Sequence, residues 1–154
     1  MNKLKGFSYI EILVTLCLIG LLSSAIFPIG KLFVQYQKEK ELKIALQEVR
    51  YAIDQYKYAS DHGLIDNNFK TNSGYPPNLA VLLGVPSSNQ NAGKLRFLRR
   101  IPRDPFKPIN TDSNEWGLRS FSSDVNLPRY ENDVYDIYSK SELFGSNKIK
   151  YKDW

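Results

Sequence analysis

The chain has 154 residues, a formal net charge of +5, one cysteine and one histidine. That length holds one domain plus a membrane segment, and a basic excess this small says little for nucleic acid as a partner. A lone Cys17 excludes an intramolecular disulfide and argues against a Cys-ligated metal centre, and with His62 as the only histidine there is almost no material for a zinc site or a nucleophile–His pair.

The chain opens with Lys3 and Lys5 and then reads GFSYIEILVTLCLIG from Gly6 to Gly20, with no charged residue from Ile12 to Ile29. As a helix, Phe7 to Ile29 would reach roughly 35 Å, enough for a hydrocarbon core of about 30 Å. An ordinary secretory signal fits the same residues, with the two lysines as n-region, Ile12 to Leu22 as h-region and Ser23-Ser24-Ala25 as a small-residue cleavage site. A plain uncleaved anchor is the third reading. Glu11 separates them. A carboxylate at membrane depth costs on the order of 3 kcal/mol and marks a protein partner; a signal h-region or a simple anchor gains nothing from it. Downstream on the same face stand Val14, Thr15 and Leu18, and Lys5 lies six residues back. A cut between Gly6 and Phe7 would create an α-amino group one helical turn before Glu11, or on a copy stacked alongside.

Gly6-Phe7, Glu11 and the apolar run behind a short basic leader resemble the class III signal of type IV pilins and type II secretion pseudopilins. Family members often read Phe-Thr-Leu-Ile-Glu where this chain has Phe7-Ser8-Tyr9-Ile10-Glu11. The resemblance implies cleavage after Gly6 by a prepilin peptidase, N-methylation of Phe7, and pairing of Glu11 with the N-terminal amine of the adjacent subunit during assembly. Pro28 falls where many pilins carry a helix-bending proline, and a proline at that place invites a kink. Lysines on both sides of the apolar run leave orientation open by charge alone. The resemblance implies a leader over 1–6, a transmembrane and assembly helix over 7–30, a single pass through the inner membrane, and residues 31–154 in the periplasm.

Beyond Gly30, Leu42, Ala45, Leu46, Val49, Ala52, Ile53, Tyr56 and Ala59 recur at i, i+3, i+4, i+7, with Lys43, Gln47, Glu48, Arg50, Asp54 and Lys57 opposite. This is an amphipathic helix over 31–63, stopped at Gly63, whose apolar stripe should dock a small sheet. Residues 64–154 read as loop and small sheet. Asn67 to Pro77 is turn-rich, Leu79 to Leu83 is a candidate helical turn, and Ser87 to Gly93 is a polar loop. Pro102, Pro105 and Pro108 keep their stretch extended and off a sheet centre. Trp116 to Ser122 and Val134 to Ser139 have strand composition. The fold class expected is α+β and pilin-like: a long N-terminal helix, membrane span continuing into an amphipathic half, packed on a small antiparallel β-sheet.

In order, GYPP, FLRRIPRDPF, WGLRS, DVYDIYS and YKDW resemble the globular part of the major pseudopilin of type II secretion. This implies a homo-polymer, a short periplasmic pseudopilus that helps drive proteins across the outer membrane. Its implied partners are minor pseudopilins, the prepilin peptidase, the inner-membrane assembly platform and the membrane itself. The same function admits an alternative, a type IV pilus subunit for adhesion, motility or DNA uptake, and a different class, a monomeric anchored or secreted binding module. Major pseudopilins usually hold calcium near the C-terminus; here Lys140 to Trp154 offers Ser141, Glu142, Asn147 and Asp153 without the acidic, glycine-rich pattern, and Asp124, Asp133 and Asp136 form the other candidate set. No metal ligands are assigned, and calcium is the one cofactor weighed. Lys94, Arg96, Arg99, Arg100, Arg103 and Lys107 cluster around Phe97, Leu98 and Phe106, as a solvated face, a surface for acidic residues of the next subunit, or a phosphate contact. No base, nucleophile and oxyanion donors assemble into an enzyme site.

Overall fold

The computed structural model of the chain describes residues 6–89, 93–107 and 116–154, leaving out the side chains of residues 24–29. Helix α1 runs Tyr9–Asp61, and the chain divides into two compact units, Met1–Gln37 and Lys38–Trp154.

Among the described residues of the first unit α1 is the one regular element, and from Tyr9 to Leu22 its apolar side chains lie on every side. Every large apolar side chain from Phe7 to Leu22 is exposed, from 47 % at Ile12 to 81 % at Phe7. The span expected over 7–30 is not met by the described residues, among which no helix is long and apolar enough to cross a membrane. The stretch described with its side chains, Tyr9 to Ser23, amounts to about 22 Å of helix against a core of about 30 Å. Pro28, where a kink is expected, falls within α1, and its side chain lies outside what is described.

In the second unit the amphipathic stripe is the core. Leu42, Ala45, Leu46, Val49, Ala52, Ile53, Tyr56 and Ala59 are all 5 % exposed or less, and they pack with Ile65, Leu79, Leu82, Val85, Leu98, Trp116, Val134, Ile137 and Tyr151. Ala45, Ala52 and Ala59 recur every seventh residue, so one line of the stripe is small and lets the facing chain come close. The helix ends as its sequence predicts. Gly63 has φ +70°, the Leu64 N–H donates to the Ala59 carbonyl at 2.9 Å and the Gly63 N–H to Ser60 at 3.1 Å, the paired bonds of a Schellman cap.

Two small sheets replace the single one expected. β1 (Val85–Pro86) pairs antiparallel with β2 (Lys94–Leu95), Val85 facing Leu95 and Pro86 facing Lys94. The chain leaving α1 lies along this hairpin, with the Ser88 N–H donating to Leu64 at 2.8 Å and the Asp66 N–H to Pro86 at 3.2 Å. Leu79–Leu83 is a 3₁₀ turn capped by Asn78, with Leu79 and Leu82 buried, and the Leu82 carbonyl accepts from both Phe97 and Leu98 at 2.9 Å.

β3 (Gly117–Arg119) pairs antiparallel with β4 (Asp136–Tyr138), Gly117 facing Tyr138 and Arg119 facing Asp136. Both strands are shorter than their composition suggests because Ser120 diverts the ladder. Its N–H donates to Arg129 at 2.8 Å, its hydroxyl donates to the Asp133 carbonyl at 2.8 Å, and that hydroxyl oxygen accepts from the Glu131 N–H at 2.7 Å. The connection is therefore tied down at its base and not zipped as strand. A last 3₁₀ turn, Tyr151–Asp153, brings Tyr151 into the core, where it stacks on Phe106 at 3.8 Å.

Candidate functional site

The residues expected to act in processing and assembly fall on the exposed apolar stretch of the first unit. Gly6 and Phe7 precede α1, and Glu11 sits in its first turn, where the helix dipole favours a negative group. From Phe7 to Ser23 Glu11 is the only charged residue, it is exposed, and among the described residues its carboxylate meets no cation. The other hydroxyl groups behave differently. Thr15 Oγ1 donates to the Ile12 carbonyl at 2.9 Å and Ser23 Oγ to Ile19 at 2.7 Å, so both satisfy themselves within the helix, as a hydroxyl must where water is absent. Glu11 is the one charged group of this stretch, and the helix offers it no cation.

The C-terminal segment, weighed as a cation loop, is closed by lysines. Glu142 accepts from Lys150 at 2.8 Å and Lys152 at 3.1 Å, and these hydrogen bonds hold its carboxyl below the usual range while Glu142 raises Lys150. Asn147 Oδ1 accepts from the Ile149 N–H at 3.1 Å. The second candidate set is not brought together either. Asp136 is bridged by Arg50 at 2.8 Å and Arg119 at 3.2 Å; Asp133 accepts from the Ser73 hydroxyl and the Phe121 N–H; Asp124 caps the Asn126 N–H at 2.7 Å. Among the described residues, no three His, Cys, Asp or Glu side chains group as a metal site would require.

Within the basic segment, Lys94, Arg96, Arg99 and Arg100 are exposed. The aromatic residues between them are committed elsewhere. Phe97 meets the Tyr56 ring in a T-shaped contact at 5.5 Å and Phe106 stacks on Tyr151, so both pack against the core of the unit.

Two helix residues outside the expected set fasten the C-terminal segment. Glu39, 4 % exposed, accepts from the Ser146 N–H at 2.8 Å, the Ser146 hydroxyl at 2.6 Å and the Tyr151 hydroxyl at 2.9 Å. Arg50, read from the sequence as lying on the solvent side, donates Nε to Asp136 and Nη2 to the carbonyls of Ile137 at 3.2 Å and Trp154 at 2.9 Å. Spacing offers a signal for the first: Glu39 stands three residues before Leu42 and so on the same stripe. Nothing in spacing marks Arg50, whose acceptors lie 86 to 104 residues away. No protein-family model, no curated protein and no solved structure matches this chain.

Proposed function

We propose that the chain is a pilin-like structural subunit, a major pseudopilin of type II secretion, that polymerises through its N-terminal helix after cleavage between Gly6 and Phe7. The observation that carries this reading is Glu11: one carboxylate, unpartnered among the described residues, in the first turn of a helix whose opening turns are otherwise apolar on every side. Such a helix is stable only when covered. Lipid covers it before assembly, the sequence continuing uncharged to Ile29, and like helices cover it in the filament. Apolar burial is then retained on leaving the bilayer, while Glu11 exchanges a site costing on the order of 3 kcal/mol for a cationic N-terminus on the neighbouring copy. The second unit is the head that this helix carries, exposed to the periplasm.

Mass spectrometry of the mature protein from cells that express the prepilin peptidase tests the reading. A chain beginning at methylated Phe7 supports it, and one beginning at Met1 or Ile26 ends it. Glu11→Ala should insert and be processed yet fail to form filaments, whereas a bulky residue at Gly6 should block cleavage. Loss of secreted enzymes on deletion marks a pseudopilus; shear-released surface fibres with secretion intact would move the assignment to a type IV pilus.

A further inference from the structure

An open groove of about 780 Å³ lies in the second unit, between the outer end of the β3–β4 pair and the C-terminal turn. That volume suits a small ligand, and the walls set charged side chains beside the apolar surface of Val125, Pro128 and Tyr138. Arg50, Arg119, Lys140 and Lys152 line it against Asp136, Glu142 and Asp153, four cations to three carboxylates.

The hydrogen-bond inventory of these cations is incomplete. Arg50 uses Nε and Nη2 and Arg119 uses Nη2. Among the described residues Arg50 Nη1, Arg119 Nε and Nη1, and the Lys140 ammonium have no acceptor. Trp154 also lines the groove, and its indole Nε1, buried without a partner, is a reporter beside it. Of the carboxylates, Asp136 is held by two guanidinium groups and Glu142 by two lysines, while Asp153 has no partner among the described residues. The Arg119 guanidinium is also held in place, 5.0 Å over the Tyr135 ring and tied to Asp136, so its remaining N–H groups are pre-oriented. A groove whose unpaired donors outnumber its one unpaired carboxylate matches a ligand that only accepts.

We infer that this groove binds an anion, a carboxylate or phosphate group whose oxygens take the free N–H groups of Arg119 and Arg50, with Lys140 at the rim. The guanidinium fork favours planar or tetrahedral oxyanions over halide. The same chemistry is presented by a free oligoanion and by an acidic side chain of an extended partner segment.

The test is an NMR titration of the whole chain in detergent micelles at constant ionic strength, following the two indole N–H resonances. Inorganic phosphate, citrate and a blocked tetraglutamate peptide are the probes, and chloride is the control. The expected result is a saturable shift of the Trp154 resonance, with the Trp116 indole, bonded to the Pro102 carbonyl at 2.9 Å, unmoved. Lys140→Ala, an exposed change with no contact to lose, should weaken binding about threefold, the scale of one exposed charge pair. Arg119→Lys should weaken it about tenfold, since it keeps the charge and removes the fork. Tighter binding of the peptide than of citrate would identify an acidic segment as the source, and the reverse a free oligoanion. A shift that does not saturate, equals that of chloride, or is indifferent to both substitutions overturns the inference.

Discussion

Arg50 and Trp154, 104 residues apart, are joined by a 2.9 Å hydrogen bond from Nη2 to the backbone carbonyl. The same guanidinium reaches Asp136 and the Ile137 carbonyl, so one helix side chain fastens both β4 and the C-terminal turn to α1. Arg50→Ala removes all three bonds and leaves Asp136 with Arg119 and the Ile137 N–H. With the side chain about a third exposed, the expected loss is about 1–2 kcal/mol in urea denaturation. Arg50→Lys should recover less than half of it, because an ammonium cannot serve three acceptors in the plane of a fork.

Glu39 holds the opposite end of the same segment. Its buried carboxylate takes donors from Ser146 and Tyr151, and Glu39→Ala removes the acceptor from the buried Tyr151 hydroxyl and releases Ser146. A cost of about 2–4 kcal/mol is expected. Glu39→Gln retains an acceptor and should cost about half as much. Limited proteolysis separates local from global effects: if the segment is held as described, cleavage between Leu143 and Lys152 rises in the alanine variant before the rest of the unit opens.

The helix core was legible in the sequence because a 3.6-residue period is a local property. All eight apolar stripe positions are buried, and Gly63 marks the stop since a left-handed residue there suits glycine. The sheets were legible only in part. Aromatic and β-branched content places strands near Trp116 and Val134 but cannot say that Ser120 cuts the ladder short, which depends on acceptors nine to thirteen residues distant. Val85–Pro86 and Lys94–Leu95 carry no alternation to detect, being two residues each. For the candidate site, Glu11 stands out because a charge in an apolar run is conspicuous in one dimension. The groove does not, since Arg50, Arg119 and Lys140 meet only through tertiary pairing.

Gly117 faces Tyr138 across the β3–β4 pair, and a Cβ added there would stand 2.3 Å from the Tyr138 ring. The tyrosine thus lies over the bare backbone of its cross-strand partner. Gly117→Ala must push the ring aside, and because Tyr138 is only half-buried the expected cost is moderate, about 1–2 kcal/mol. The diagnostic is non-additivity. In the Tyr138→Ala background the glycine substitution should cost little or become favourable through lower backbone entropy in the unfolded chain, whereas equal costs in both backgrounds would mean the ring is not what the glycine accommodates.

Tyr56 predicts an alkaline limit to stability. Its hydroxyl donates to the Phe69 carbonyl inside the core, and burial pushes its pKa up to about 12 from 10.0. The folded state therefore keeps its proton where the unfolded chain has lost it. Proton binding is then greater in the native form, and stability falls as pH rises. The contribution is complete below pH 10 and is lost between about pH 10 and pH 12, amounting to on the order of 2 kcal/mol. Tyr56→Phe should lower stability at pH 7 by about 1 kcal/mol through the lost hydrogen bond, yet flatten the decline above pH 10. Urea midpoints of the two proteins measured from pH 8 to pH 11.5 should converge; parallel curves would place the alkaline sensitivity in another group.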